Sequence, residues 1–210
     1  MASEKSLLLI ACSALLREVK ALERLNGWDH VCLRCLPAEL HNRPERIPGA
    51  VAALIEEAGD TFDEILIAYG DCGTGGQLDR VLAHYGARRL PGAHCYSFFA
   101  GAENFAALHE EEPGSFYLTD FLVRHFDRLV IRGLGLDRHP ELLSSYFGNY
   151  RRVVYLAQSR LPALEQRARN CARRLELAFE YRFTGLAPLA GALGIEAAGP
   201  DAARETPWSA

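Results

Sequence analysis

Lysine is nearly missing from this sequence. Of its 23 basic residues only Lys5 and Lys20 are lysines, which leaves 21 arginines. Schiff-base chemistry and phosphate binding by a P-loop lysine therefore have almost no candidates. Long apolar runs are also lacking. Stretches such as Leu7–Cys12 fall far short of the roughly 18 residues a membrane-spanning helix needs, so no membrane interaction is expected. Surplus positive charge is absent too: the net charge is −4 and the pI is near 6.0, which argues against a general nucleic-acid binder. What remains is an ordinary globular composition of 210 residues, 49% hydrophobic and 24% charged. That length fits one domain with a well-buried core, and it excludes collagen-like, coiled-coil and disordered classes. The one excess is cysteine, with six residues.

The start of the chain imitates an export signal. Leu9-Ile10-Ala11-Cys12 resembles a lipoprotein cleavage box. Glu4 beside Lys5 removes the positive charge such a signal carries, however, and the apolar run is short. A buried parallel strand reads as just such a run. The expected compartment is the cytoplasm, where thiols stay reduced and cysteines act as ligands, nucleophiles or core fillers.

Alternating strand and helix signals follow. Strands are predicted at 7–11, 31–36, 64–69, 88–90, 129–131, 152–156 and 179–183. Helices are predicted at 14–25, 44–57, 77–85, 98–109, 116–126, 140–147 and 161–175. The pattern implies an α/β fold with a mainly parallel sheet and helices on both faces, three-layered and Rossmann-like. A single domain is expected over 1–190, with a flexible Ala/Gly/Pro tail at 191–210.

In open α/β sheets ligands bind beyond the carboxyl ends of the strands. Cys12, Cys72 and Cys95 all fall there, and His41 follows the second strand. Three thiolates with His41 or His94 as a fourth donor suit zinc, and thiolates alone equally suit a 4Fe-4S cluster. The string Gly70-Asp71-Cys72-Gly73-Thr74-Gly75-Gly76 joins a strand to a helix. Gly73, Thr74, Gly75 and Gly76 are candidates to cradle a small polar or anionic ligand. The string is neither a P-loop, since no Gly-Lys-Ser/Thr follows, nor a dinucleotide fingerprint, since Leu78 stands where the third glycine belongs. His94 is a candidate acid/base beside a Cys72 or Cys95 nucleophile, which gives a metal-free thiol enzyme acting on a small anionic substrate as an alternative. Cys32 and Cys35, the one C-x-x-C, lie inside a predicted strand and should face opposite ways. Cys171 reads as filler on a helix. Tyr117 and Asp120 are expected to share a helix face, and Asp137 and His139 to follow a strand.

Five strings carry a family resemblance: IAC at 10–12, LPAELHNRPERIP at 36–48, YGDCGTGG at 69–76, PGAHCYSFFAG at 91–101 and EEPGSFYLTDFL at 111–122. They resemble the family called domain of unknown function 1638, over about residues 6–190. The family commonly has glycine where this chain has Ser13. Members are similar to cytoplasmic proteins encoded near corrinoid-dependent methyltransferases. The resemblance thus implies a role in corrinoid-linked one-carbon metabolism, as a methyltransferase, an accessory protein or a non-catalytic partner of a corrinoid methyltransferase. It carries attention to Cys12, His41, Cys72, His94 and Cys95. An Asp-x-His-x-x-Gly corrinoid motif is absent, so a corrinoid is expected on a partner rather than on this chain.

Overall fold

The computed structural model describes residues 6–194. The chain divides into two compact units, one reaching to Cys95 and taking the chain up again from Ala190, the other running from Tyr96 to Leu189. Each unit holds its own parallel sheet.

The first unit contains β1 (Leu7–Cys12), α1 (Leu16–Asn26), β2 (Val31–Leu36), α2 (Ile47–Ala58), β3 (Glu64–Ala68), α3 (Gln77–His84) and β4 (Arg88–Arg89). Its strand order is β2-β1-β3-β4 and every pairing is parallel. β1 lies between two strands, with Leu9 beside both Leu33 and Leu66. That position explains its unbroken apolar sequence: Leu8, Ile10 and Ala11 have no exposed surface, as a strand covered on both faces requires. The chain leaves β1 outward to β2, then crosses back to place β3 on the other side of β1. The direction of winding therefore reverses between β1 and β3, which is where doubly wound sheets open a ligand crevice.

The second unit contains α4 (Tyr96–Ala100), α5 (Ala102–Glu111), β5 (Ser115–Thr119), α6 (Asp120–Arg124), α7 (Leu143–Phe147), β6 (Arg152–Ala157), α8 (Pro162–Arg174) and β7 (Ala178–Phe183), followed by α9 (Ala187–Ala192). Its strands run in the order β5-β6-β7, also parallel. Because the order is sequential, the winding never reverses. Val153, Tyr155, Ala157 and Leu164 anchor its core.

The fold is the α/β, Rossmann-like, three-layered class read from the sequence, with the strands shared between two sheets instead of lining one. Several elements differ from expectation. The predicted helix 98–109 is two helices, broken at Gly101 with φ +83°. The predicted helix 116–126 begins as strand β5, because Phe116-Tyr117-Leu118-Thr119 fits a strand as well as a helix and Pro113-Gly114 permits either. The predicted strand 129–131 is a single π-helical turn, Asp127–Ile131. Asp137 and His139 consequently follow no strand, and both are exposed. Of the tail expected at 191–210, Gly191 and Ala192 finish α9 and Leu193 is buried, while 195–210 lie outside the described residues.

Candidate functional site

The candidate site is built on the ends of β1, β3 and β4 in the first unit. Cys12 closes β1 and is buried; its sulfur accepts a long contact from the Ala14 amide at 3.5 Å. Burial is the main reason its thiol is pushed up from the ordinary value. Beyond β3 the chain continues as Tyr69-Gly70-Asp71-Cys72. Beyond β4 it loops through Pro91 to Cys95.

These two loops are locked together. The Asp71 amide donates to Gly92 O at 2.9 Å and the Cys72 amide donates to Ala93 O at 2.8 Å. Glycine at position 70 makes the approach possible: a Cβ there would lie 2.9 Å from Gly92 O and 3.1 Å from His94 N, both rigid backbone atoms. The lock brings Cys72 and Cys95 into hydrogen-bonding contact. The Cys95 thiol, with the backbone N–H groups of Cys95 and Gly70, donates to the Cys72 sulfur. These donors hold Cys72 down to about 7, against the opposing effect of burial, because hydrogen bonds to a charged form stabilise it. The Cys95 thiol, as proton donor to that sulfur, is held well above its usual range.

Cys72 itself is strained. Its φ is +49°, a left-handed conformation that costs a residue with a side chain about 1–2 kcal/mol. Glycine fills that conformation freely, and glycines stand at 70, 73, 75 and 76 around it. A turn alone would be served better by glycine at 72 as well. A strained, buried residue with a stabilised anion is the signature of a functional position.

Tyr69 completes the cluster. Its side chain is 3% exposed, and its hydroxyl has no nitrogen or oxygen partner among the described residues. It lies against the Cys12 sulfur and within electrostatic reach of Cys72 and Cys95. Burial, then the neighbouring sulfur charge, keeps the phenol protonated far above its ordinary range. Nothing in the sequence reading pointed to Tyr69. The available signal was a tyrosine at the end of a buried parallel strand, immediately before the glycine loop.

The glycine loop differs from the expected ligand cradle. The Gly75 and Gly76 amides donate to Asp71 at 3.1 and 2.8 Å, and the Thr74 hydroxyl donates to the same carboxylate at 3.0 Å. These bonds, led by Gly76, depress the Asp71 pKa. The loop thus neutralises its helix-facing amides with a side chain of its own, leaving Gly73 as the cradle glycine without a role in that network. Asp71 was missed because an aspartate before a glycine run reads as turn punctuation.

The histidines separate from the sulfurs. His41 sits in a 3-10 turn, Ala38–Asn42, and is exposed. Desolvation by the surrounding chain, then the charge of nearby His94, lowers its pKa. His94 is also exposed. The Cys72 sulfur is stabilised chiefly by Cys95, the partner that sequence reasoning assigned to His94. Cys12, Cys72 and Cys95 act on one another's charge. Among the described residues, however, no three histidine, cysteine, aspartate or glutamate side chains are grouped as a metal ion would require. Cys32 and Cys35 stay within β2, beside Leu8 and Ala11. A surface cleft of about 480 Å³ opens beside β4, but of its two arginines Arg89 is committed to Asp79 through bonds of 2.6 and 2.9 Å and Arg88 pairs with Glu64 at 4.0 Å.

Tyr117 and Asp120 also part company. Tyr117 is a strand residue, and Asp120 opens α6 as a buried acceptor. It receives Tyr155 Oη at 2.7 Å, the Gln158 amide at 3.0 Å and a very short bond from Ser159 Oγ.

Fold and site together define a parallel α/β protein with a paired-thiol centre at the switch point of its first sheet. Within that class, a family model described as protein of unknown function (DUF1638) matches residues 35–193, and the chain belongs to that family. No curated protein and no solved structure matches the chain. No helix among the described residues is long and apolar enough to cross a membrane.

Proposed function

We propose that the protein is a thiol enzyme in which Cys72 attacks a small electrophilic substrate held at the β1/β3 switch point. The observation that carries this reading is the pairing of the two loops that bear Cys72 and Cys95, with Cys72 buried in a left-handed conformation at the end of β3. The neighbouring Cys95, which holds Cys72 down to about 7, would supply a thiolate near neutral pH, and the thiolate is the reactive form. Cys12 and Tyr69 would line the substrate's place. His41 and His94 would stand at its rim. The setting implied by the family resemblance is corrinoid-linked one-carbon metabolism in the cytoplasm, with a corrinoid protein or methyltransferase as partner.

The test is the rate of iodoacetamide alkylation of Cys72 against pH, followed by peptide mapping. The expected profile is half-maximal near pH 7. A profile set by an ordinary thiol, near 8.5, overturns the reading.

A second reading is a soft metal centre, zinc or an iron–sulfur cluster, with Cys12, Cys72 and Cys95 as donors and His41 or His94 completing the set. The mutual electrostatic influence of the three sulfurs favours it. Zinc there would act as a Lewis acid on a bound nucleophile. Metal analysis of anaerobically purified protein separates the two. One equivalent of zinc or iron that is lost in Cys72→Ala, with alkylation accelerated by a chelator, supports the metal centre. Metal-free protein with unchanged alkylation supports the thiol enzyme.

A further inference from the structure

Three candidates outside the reading above stand out: the Asp120–Ser159 network, the Arg89 cleft and the second thiol of the site. In the first, each Asp120 oxygen already has its donors. In the second, Arg89 is bound to Asp79 and Arg88 faces Glu64. The second thiol is different, because a single nucleophile does not need a cysteine as its neighbour. A serine or a backbone amide would stabilise the Cys72 thiolate equally well.

We propose that Cys72 and Cys95 form a peroxide-reducing dithiol, in which Cys72 takes oxygen from a small hydroperoxide and Cys95 closes a disulfide. This rests on the reading of Cys72 as a reactive thiol and names the electrophile.

Three observations carry it. The two cysteines sit on loops paired backbone to backbone, Asp71 N to Gly92 O at 2.9 Å and Cys72 N to Ala93 O at 2.8 Å, and each is the largest influence on the other's thiol. Cys72 is only 6% exposed, which favours a very small substrate over a protein disulfide. The buried Tyr69 hydroxyl lacks a nitrogen or oxygen partner among the described residues. It lies against the Cys12 sulfur, a weak acceptor, and a peroxide oxygen is a stronger acceptor to which it would turn.

The chemistry balances with the groups present and one oxidant. The Cys72 thiolate attacks the near oxygen of HO–OH. An S–O bond forms, the O–O bond breaks, and hydroxide leaves with a hydrogen bond from Tyr69 and then takes a proton from solvent. The product on Cys72 is a sulfenic acid. The Cys95 sulfur attacks the Cys72 sulfur, an S–S bond forms and the S–O bond breaks. The Cys95 proton departs with the hydroxyl as water. The dithiol loses two electrons, and the peroxide is reduced to two waters. A low-molecular-weight thiol resets the pair by disulfide exchange.

The experiment adds hydrogen peroxide to the reduced full-length chain at neutral pH, then counts thiols and maps bonded peptides. Wild type is expected to lose two thiols per peroxide consumed and to yield the Cys72–Cys95 cross-link. Cys95→Ser keeps a hydroxyl donor but removes the resolving sulfur. It is expected to lose one thiol per peroxide and to accumulate a dimedone-reactive sulfenic acid on Cys72. Tyr69→Phe should slow oxidation of Cys72 by peroxide. A cross-link between other cysteines, or Cys72 over-oxidised in wild type with no disulfide, overturns the proposal. If Cys72 alkylates fast near pH 7 yet peroxide yields no disulfide, this proposal falls and the thiol-enzyme reading stands. If alkylation is slow as well, both fall.

Discussion

Cys95 is the residue on which the character of Cys72 depends. Its thiol is the largest influence lowering Cys72, so Cys95→Ala should return Cys72 toward an ordinary thiol. Two effects then oppose each other at pH 7. The thiolate fraction falls roughly fiftyfold if the pKa rises by about 2 units, while each thiolate becomes about tenfold more nucleophilic. The expected outcome is alkylation of Cys72 slowed roughly fivefold at pH 7 and accelerated about fivefold or more above pH 9, where the wild-type thiol is already ionised, read with iodoacetamide. Cys12, Cys72 and Cys95 were legible in the sequence as residues of one sheet edge, because each follows a parallel strand. Their roles were not. Which thiol is ionised depends on hydrogen bonds between loops more than 20 residues apart, and Cys72–Cys95 pairing leaves no spacing signature. The capping of the glycine loop by Asp71 is likewise a three-dimensional fact, since a carboxylate beside glycines supports either an occupied or an open cradle.

Among the elements, α8 offers a clean test of burial. Cys171 faces the core of the second unit at 6% exposure, and burial, outweighing the nearby Arg174, pushes its thiol up to about 11. In the unfolded chain the thiol ionises near its usual value, so the folded state binds more protons at alkaline pH. Stability from this group is therefore fully present below about pH 9 and is lost as pH rises through about 11. Wild type should lose roughly 2–3 kcal/mol more than Cys171→Ala between those limits, as read from urea midpoints at both pH values. The sequence assigned Cys171 to a helix and to filling, and both agree with its place. It assigned β5 to a helix, since a five-residue apolar segment has no period long enough to choose. It found β1, β3 and β6 because buried parallel strands carry continuous apolar runs, and it placed β2 and β7, edge strands holding Arg34, Glu180 and Arg182, by the alternation of strand and helix.

On the scale of the whole molecule, the two sheets carry different work. Every residue of the thiol centre belongs to the first unit. The second unit buries its own carboxylate, Asp120, at the ends of β5 and β6, with Tyr155, the Gln158 amide and Ser159 as donors. Removing one donor from a buried, charged acceptor costs about 1.5–3 kcal/mol. Tyr155→Phe should therefore lower the urea midpoint by that amount while leaving the pH profile of Cys72 alkylation where it is in wild type. A shifted profile would show that the thiol centre depends on the second sheet. The two-sheet division was not legible from length and composition, which fit one domain equally well. Winding order decides it, and order becomes visible only when strands pair.

The bare backbone at Gly70 has a consequence for how the thiol pair is tuned. A methyl group there would press on Gly92 O at 2.9 Å and His94 N at 3.1 Å, and neither can swing aside as a side chain would. The loop bearing Cys95 would have to retreat. Gly70→Ala therefore acts as a spacer inserted between two sulfurs it never touches. The expected result is a Cys72 that alkylates like an ordinary thiol and a cross-link that no longer closes under peroxide, although all six cysteines remain. The distance between the two sulfurs is set by a missing side chain, two residues upstream of one of them.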